Sequence, residues 1–405
     1  MSLLSQRRAI AIFVAFAVAY FLSTLLRAIT ATLAPTLAQE FALNARDLGL
    51  LAGGYFFGFA LTQLPLGTWL DRFGPKRVVL WFLSVAVLGN VAFAMANSFG
   101  GLLAARVLCG VGVSACLMAP LTAYRRWFSP ASMMRSNSWM LMVGSMGMVA
   151  STLPVQWLLP VTGWRAIFAV LALLVALAMV IIAWQVPAWE KSTDPQMQLA
   201  TTGYREVVRH PYFRRLVPLG FFNYGGMVAM QTLWAAPWMI KVAGYSPEQA
   251  ASGLFWINVC MLLSFLAWGS ANPWLARKGV ATERLIAMGV PISLLLIAII
   301  VIAGDAISAW SAGLWILYCV SSTVGSQAQP AVGMAFPPAL AGRALSAYNL
   351  VIFSGVFAVQ WGIGLLVDGT RALGLSEVMA FQAAMAVYGV CCIGAYLYFL
   401  SAKKS

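Results

Sequence analysis

Long apolar runs alternate with short polar breaks from one end of the chain to the other, and this pattern limits the folds open to it. A run of about 20 apolar residues crosses the hydrocarbon core of a bilayer as a helix. With 62% hydrophobic and 9% charged residues, the chain is too apolar for a soluble domain of 405 residues. We therefore predict an all-α polytopic membrane protein with twelve transmembrane helices, at residues 9–37, 46–68, 78–96, 100–122, 135–159, 164–186, 215–241, 248–271, 283–303, 308–331, 343–367 and 376–400.

The positive charge of the chain follows the predicted topology. If the N-terminus is cytoplasmic, most of the 25 Lys and Arg residues lie on the cytoplasmic side, and only Arg46, Arg165, Lys241 and Arg371 lie on the opposite side. This asymmetry satisfies the positive-inside rule and places both termini in the cytoplasm. The net charge of +14 therefore reflects orientation in a lipid bilayer. We expect no nucleic-acid partner and predict a multi-pass protein of the inner (plasma) membrane.

A central polar stretch and an internal repeat divide the chain into two halves. Residues 187–214 are rich in polar and charged residues and separate six predicted spans from six. Residues 67–74 (GTWLDRFG) align with residues 272–279 (NPWLARKG) at equivalent places in the two halves. We predict an N-terminal six-helix bundle at 1–186, a cytoplasmic linker at 187–214 and a C-terminal six-helix bundle at 215–405. Parallel repeats of this kind place a substrate site between the halves, near the midplane.

Arg27 lies inside the first predicted span, where a charge is costly. All eleven acidic residues map to predicted loops or span ends, so no carboxylate inside a span is expected to neutralise it. A charge within the hydrocarbon costs about 2.5–3.5 kcal/mol even on the lenient insertion scale, and it usually faces a cavity or a partner. We predict that Arg27 is the charge anchor for a small anionic solute. The alternative is a structural arginine held by helix-end or kink carbonyls near Pro35.

A stripe of polar or small residues runs along the same span as Arg27. Its members recur at spacings of three and four, so they share one helix face, which lipid would not tolerate. Tyr20 and Thr24 on this face join Arg27 as predicted substrate contacts. The full stripe is Tyr20, Ser23, Thr24, Arg27, Thr30 and Ala31.

Polar side chains in the C-terminal half are further candidates for substrate contacts. A seven-residue step places Tyr224 and Gln231 on one face of the seventh span, and Trp234 follows on the same span. Gln327 lies on the tenth span and Asn349 on the eleventh. Polar residues of this kind also cement membrane helices to one another. Both interpretations stay open at this point.

Coupling to protons has no obvious carrier inside the predicted spans. His210, the single histidine, lies in the linker, and the carboxylates lie in loops or at span ends. A cationic substrate is disfavoured, because nothing in the spans balances its charge. Proton coupling would require the substrate to carry the proton, or Asp305 or Asp368 to lie deeper than we place them. Protons remain a candidate coupling ion.

The segment between the second and third spans carries glycines and charges in a defined order, Gly67-x-x-Leu70-Asp71-Arg72-x-Gly74-x-Lys76-Arg77. It resembles the signature loop of the major facilitator superfamily. Arg106-x-x-x-Gly110-x-Gly112 on the fourth span resembles the second motif of that family. Together with the twelve spans and the linker, the resemblance covers essentially the whole chain.

This resemblance implies two pseudo-symmetric six-helix bundles that expose a central site to each side of the membrane in turn. It implies that Asp71 meets the N-terminal end of the eleventh span and holds the outward-facing state. Gly67 and Gly74 would permit close helix approach and a tight turn. Arg106 is implied to hydrogen-bond to the first span. The residues of this conformational latch are Gly67, Asp71, Arg72, Gly74, Arg77 and Arg106.

The sequence therefore predicts a secondary active or facilitated transporter of a small organic anion, preferably a monocarboxylate, and not an enzyme. We expect no cofactor and no metal site, and a monomer. The main alternative is proton-coupled efflux of drugs or metabolites. Exporters of the family carry a Gly-x-x-x-Gly-Pro-like motif on the fifth span, which Gly144 and Gly147 match imperfectly. Copper transport by the methionines and a non-transporting sensor are weaker alternatives.

Overall fold

The computed structural model describes residues 5–188 and 203–402, and this part of the chain is α-helical with no β-strand. Short turns separate most helices, as expected for a chain whose polar breaks are short. The helices are α1 Gln6–Phe41, α2 Ala45–Leu61, α3 Gln63–Phe73, α4 Pro75–Met95, α5 Phe99–Val113, α6 Ala115–Trp127, α7 Pro130–Ala150, α8 Leu153–Gln185, α9 Gly203–Arg209, α10 Pro211–Pro218, α11 Gly225–Ala229, α12 Ala235–Lys241, α13 Pro247–Arg277, α14 Thr282–Ala303, α15 Ser311–Ser322, α16 Ala328–Met334, α17 Pro338–Ala372 and α18 Glu377–Ser401.

Many of these helices are long and apolar enough to cross a bilayer. By length and composition, the described residues contain eight continuous helical segments that could cross a bilayer, or nine if the bent pair α2 and α3 forms one span. The pair bends by 45° at its break. One of the eight, Thr282–Met334, contains two predicted spans, 283–303 and 308–331. The predicted fold class, an all-α polytopic membrane protein, is confirmed.

The predicted fifth and sixth spans meet at a glycine turn. Helix α7 ends at Ala150, and α8 begins after a short break and continues to Gln185. Within α8, Gly163 has φ +73° and ψ 161°, which is not helical. Glycine adopts this conformation without the steric cost that a Cβ would add. The chain therefore turns at Gly163, between the predicted spans 135–159 and 164–186.

The predicted seventh span is helical but irregular. Helices α10, α11 and α12 are joined by π-helical segments at Leu219–Tyr224 and Met230–Trp234. In the first of these, the carbonyl oxygen of Phe222 accepts from the Tyr388 hydroxyl over 3.4 Å and from the Cys392 thiol over 3.5 Å. Side chains of α18 thus provide donors where regular α-helical hydrogen bonding is interrupted.

Clustered by their contacts, the residues form two compact units. Unit 1 contains Met1–Ile29 and Gly54–Thr201, and unit 2 contains Thr30–Gly53 and Thr202–Ser405. Unit 2 therefore includes the end of α1 and the first half of α2. Of the predicted linker, residues 189–202 lie outside the described residues, and the remainder includes α9 and the start of α10. The predicted bundle boundaries stay a prediction.

Candidate substrate site

The polar stripe of α1 faces protein. Every uncharged member of the stripe is at most 6% exposed, and Arg27 is half-buried. On another face of the same helix, Ile10, Val14 and Val18 are 55%, 49% and 37% exposed. Helix α1 therefore presents apolar side chains outward and keeps its polar groups inside the protein, as a membrane-spanning helix must.

Two side chains from neighbouring helices hold the backbone of α1 beside Arg27. Arg106 of α5 is fully buried and donates from Nη1 to the carbonyl oxygen of Leu26 over 3.0 Å. Tyr55 of α2 donates its hydroxyl to the carbonyl oxygen of Ser23 over 3.0 Å. The Arg106 guanidinium lies 5.0 Å from the centre of the Tyr55 ring, in a cation–π contact. The bond from Arg106 is the one to the first span that the family resemblance implied.

Aromatic side chains surround the predicted charge anchor. The guanidinium of Arg27 lies 5.4 Å from the centre of the Phe59 ring. Phe59 is buried and stacks with Tyr55, with 6.3 Å between ring centres. The hydroxyl groups of Tyr20 and Tyr55 are close enough to the Arg27 guanidinium to interact with its charge. Arg27 therefore occupies an apolar and aromatic setting, in which its charge acts over a longer distance than in water.

Helix α7 packs against the stripe through two glycines. A Cβ at Gly144 would overlap the Tyr20 ring, and a Cβ at Gly147 would overlap Thr24 Oγ1 and the carbonyl oxygen of Phe21. The Thr24 hydroxyl donates back to this carbonyl oxygen over 3.0 Å, within its own helix. Close helix packing thus accounts for the glycine pair that matches an exporter motif only imperfectly.

In unit 2, two predicted substrate contacts use their donors in hydrogen bonds between helices. Gln231 Nε2 donates to Asn258 Oδ1 over 2.7 Å, and the Trp234 indole N–H donates to the carbonyl oxygen of Gln360 over 3.1 Å. Gln360 Nε2 in turn donates to Thr232 Oγ1 over 2.9 Å. All five residues are buried. This network is the inter-helix role that the sequence left open for Gln231 and Trp234.

The other candidates in unit 2 also have polar neighbours. Gln327 Oε1 accepts from Asn272 Nδ2 over 2.8 Å, and Asn349 Oδ1 accepts from Gln329 Nε2 over 2.7 Å. Tyr224 is half-buried at the end of the first π-helical segment. The structure thus brings the α1 candidates together in unit 1, whereas Gln231, Trp234, Gln327 and Asn349 hydrogen-bond to other residues of unit 2.

The predicted latch segment forms the end of α3 and the start of α4. Gly74 has φ +79°, in the region that favours glycine, and makes the expected tight turn. Asp71, Arg72 and Arg77 are exposed. Among the described residues, nothing lies within 4 Å of a Cβ added at Gly67, so the close approach expected there is absent in this structure. The latch role of these residues stays a prediction.

No acidic residue in the described ranges 5–188 and 203–402 is fully buried. Asp305 is exposed. Asp368 accepts hydrogen bonds from the backbone N–H groups of Ala45 and Arg46 at the start of α2. Neither carboxylate is therefore buried among the helices. A role in carrying protons through the spans would require such a buried position.

Three residues that neighbour predicted site residues were not predicted from the sequence. Phe59, Asn258 and Gln360 contact predicted site residues directly. Nothing distinguishes Phe59 from the other 22 phenylalanines in the sequence. Asn258 and Gln360 are polar residues inside predicted spans, which was the signal available for them.

Comparison with known proteins gives a family and a fold. A family model described as Major Facilitator Superfamily matches residues 16–360. The ascorbate transporter, chloroplastic, of Arabidopsis thaliana is 26% identical over 33% of this chain and 25% of its own length. The gallate transporter of Pseudomonas putida is 24% identical over 60% of this chain and 61% of its own length. The chain thus matches only part of the length of either relative.

A solved structure supports the same fold along nearly the whole chain. The crystal structure of a D-xylose-proton symporter matches with a TM-score of 0.80 over 98% of this chain and 98% of that chain. The two sequences are 16% identical, so this similarity supports the fold alone.

Proposed function

The chain belongs to the major facilitator superfamily, and from this premise we propose that it carries a small organic anion, preferably a monocarboxylate, across the membrane by alternating access. The relatives named as ascorbate and gallate transporters support an anionic cargo. In this proposal the moving bodies are the two predicted bundles, 1–186 and 215–405, in the inner membrane with both termini in the cytoplasm.

The position of Arg27 carries the proposal. It is a half-buried cation within a membrane span, on a helix face whose other polar residues are buried. Hydrogen bonds from Arg106 and Tyr55 to α1 fix the backbone next to it. A preorganised guanidinium binds a carboxylate through two parallel hydrogen bonds, which gives affinity and orientation together. We assign Arg27 the role of charge anchor, with Tyr20 and Thr24 beside it.

The positions of the carboxylates bear on how protons could be coupled to transport. Asp305 and Asp368 lie at the ends of helices, so they are poorly placed to move a proton across the spans. If protons drive transport, we propose that the substrate itself carries them: the anion binds at Arg27, takes up a proton on one face, crosses as the neutral carboxylic acid and releases the proton on the other face. Facilitated transport of the anion is the uncoupled form of the same mechanism.

Thermal unfolding of the purified full-length protein tests the anchor. The probes are gallate, lactate, the neutral ester methyl gallate, and the cation tetraethylammonium. A ligand at about 100 times its dissociation constant stabilises the folded state by about 2.7 kcal/mol, which is a measurable shift in Tm. The variant is Arg27→Gln. The matched control is Arg165→Gln, since Arg165 is also in unit 1 and makes its own cation–π contact, 4.1 Å from Trp164.

We expect at least one carboxylate to stabilise the wild type and Arg165→Gln but not Arg27→Gln, and methyl gallate to stabilise none of the three. Uptake of the stabilising anion into proteoliposomes then measures transport. If methyl gallate and gallate stabilise all three proteins equally, Arg27 is not a charge anchor. Stabilisation by tetraethylammonium alone would favour efflux of cationic compounds and overturn the proposal.

A further inference from the structure

The start of α2 receives a carboxylate from α17. Asp368 Oδ1 accepts from the N–H of Ala45 over 3.2 Å, and Asp368 Oδ2 accepts from the N–H of Arg46 over 2.8 Å. The next N–H, that of Asp47, donates to Asn44 Oδ1 over 2.9 Å. The first N–H groups of a helix have no partner within the helix, and the helix dipole favours a negative charge at this end. Asp368 therefore satisfies two of these donors from a different helix.

Glycines bring the two helices into direct contact below this carboxylate. A Cβ at Gly49 would overlap the carbonyl oxygen of Gln360, and a Cβ at Gly364 would overlap the carbonyl oxygen of Ala45. At Gly53, a Cβ would lie 2.9 Å from Cδ2 of Phe357. The spacing of Gly49 and Gly53 lets backbones approach closely in membranes. All of these residues belong to unit 2.

The polar contacts described between the start of α2 and the end of α17 come from Asp368. The ion pair between Arg46 and Asp47, 3.6 Å apart, lies within α2 and does not join the two helices. Gly49 of α2 and Gly364 of α17 have no side chains, so none must repack at these two positions when the helices separate. The carboxylate of Asp368 is therefore a polar group at which a single substitution would weaken the contact.

We propose that Asp368 is a switchable latch, which holds α2 against α17 on the face opposite the predicted cytoplasmic side and releases when the protein opens to that face. The inference rests on the proposed transport function, because a carrier that works by alternating access closes each face in turn. Asp71, at the other end of the same two spans, is the latch that the signature loop predicts for the cytoplasmic face. The chain then carries one helix-capping carboxylate at each end of the same helix pair.

Hydrogen–deuterium exchange of the full-length protein in lipid nanodiscs tests the latch without any ligand. The variants are Asp368→Asn, which keeps one acceptor oxygen and the shape, and Asp368→Ala, which keeps neither. The control is Asp305→Asn, because Asp305 is also a carboxylate of unit 2 and its side chain is exposed. Peptides 43–53 and 357–368 report the latch, and peptides 67–77 and 338–347 report the predicted cytoplasmic ends of the same spans.

We expect exchange to rise about tenfold in the two latch peptides of Asp368→Ala, and by less in Asp368→Asn, because hydrogen bonds to a charged acceptor are lost. Exchange at the cytoplasmic ends should fall in the same variants, since a population that opens to one face closes at the other. A rise confined to the latch peptides would make Asp368 a static helix cap and overturn the proposal. Unchanged exchange, or a rise in every peptide, would also overturn it. None of these outcomes depends on Arg27 or an anion, so the two proposals fail separately.

Discussion

Arg106 and Leu26 are joined by a hydrogen bond of 3.0 Å from Nη1 to the backbone carbonyl, which places the fully buried cation of α5 beside the residue that precedes Arg27. Among the described residues, Nε and Nη2 of Arg106 have no hydrogen-bond partner. The ring of Tyr55, 5.0 Å away, supplies the remaining electrostatic support. Arg106 therefore positions the first helix, whereas the role we propose for Arg27 is to bind the anion.

Replacing Arg106 by Lys should destabilise the protein and leave its ligand preference unchanged. Lysine keeps the charge but lacks the planar fork that bonds Leu26 and stacks on Tyr55. Loss of a hydrogen bond from a charged group lowers the free energy of unfolding by about 1.5–3 kcal/mol. Thermal unfolding checks this, with the exposed Arg72→Lys as the control. An unchanged Tm together with an altered preference among anions would instead place Arg106 in contact with the ligand.

Replacing Gly147 by Ala should force α7 away from α1. The added Cβ would overlap Thr24 Oγ1 and a backbone carbonyl, which cannot rotate away. Overpacking of this kind costs about 1–3 kcal/mol. Gly100→Ala is the control, since nothing lies within 4 Å of a Cβ there, and its effect should stay within about 0.5 kcal/mol. Equal Tm values for the two variants would show that the helices are not in close contact at Gly147.

Replacing Trp234 by Phe should cost stability without loss of anion binding. The change removes the indole N–H that donates to the Gln360 carbonyl and keeps most of the buried ring. The expected loss is about 1 kcal/mol in the free energy of unfolding. Trp184→Phe, at a side chain that is 84% exposed, is the control for tryptophan removal. If Trp234→Phe keeps the wild-type Tm but abolishes stabilisation by gallate, Trp234 contacts the substrate.

The helical membrane fold was predictable because the bilayer imposes a length and an apolar composition on every span. The buried face of α1 was predictable for the same reason, since a polar stripe that includes Arg27 cannot face lipid. The turn at Gly74 followed from the sequence because few residues other than glycine adopt a positive φ. In each case one local physical constraint decides the structure.

Contacts between helices were not predictable in the same way. The bond from Asp368 to the start of α2 joins residues more than 300 positions apart, and no local pattern encodes it. The pairing of Gln231 with Asn258 is of the same kind, because polar groups in a membrane helix satisfy one another or a ligand with the same chemistry. The sequence shows Gln231 and Trp234 as polar groups inside a predicted span, but only the structure shows which hydrogen bonds they make.

Replacing Phe59 by Leu should weaken anion binding through Arg27 without unfolding the protein. Leucine keeps the residue apolar but removes the ring face that lies 5.4 Å from the guanidinium, so the cation is less well oriented. Cation–π contacts contribute about 0.5–1 kcal/mol, which corresponds to a two- to fivefold rise in the Kd for a stabilising carboxylate. Phe57→Leu, two residues earlier and 42% exposed, is the matched control and should leave the Kd unchanged.

The Arg27→Gln background separates the two explanations for such an effect. If Phe59 acts by orienting Arg27, Phe59→Leu should leave the weak residual carboxylate binding of Arg27→Gln, measured at higher ligand concentration, unchanged, because the effects of contacting residues are not additive. An equal effect in both backgrounds would mean that Phe59 packs against the ligand or the helix independently of the charge. The double variant therefore tests whether the Phe59 ring acts through the Arg27 guanidinium. It thereby also tests the assignment of Arg27 as the charge anchor.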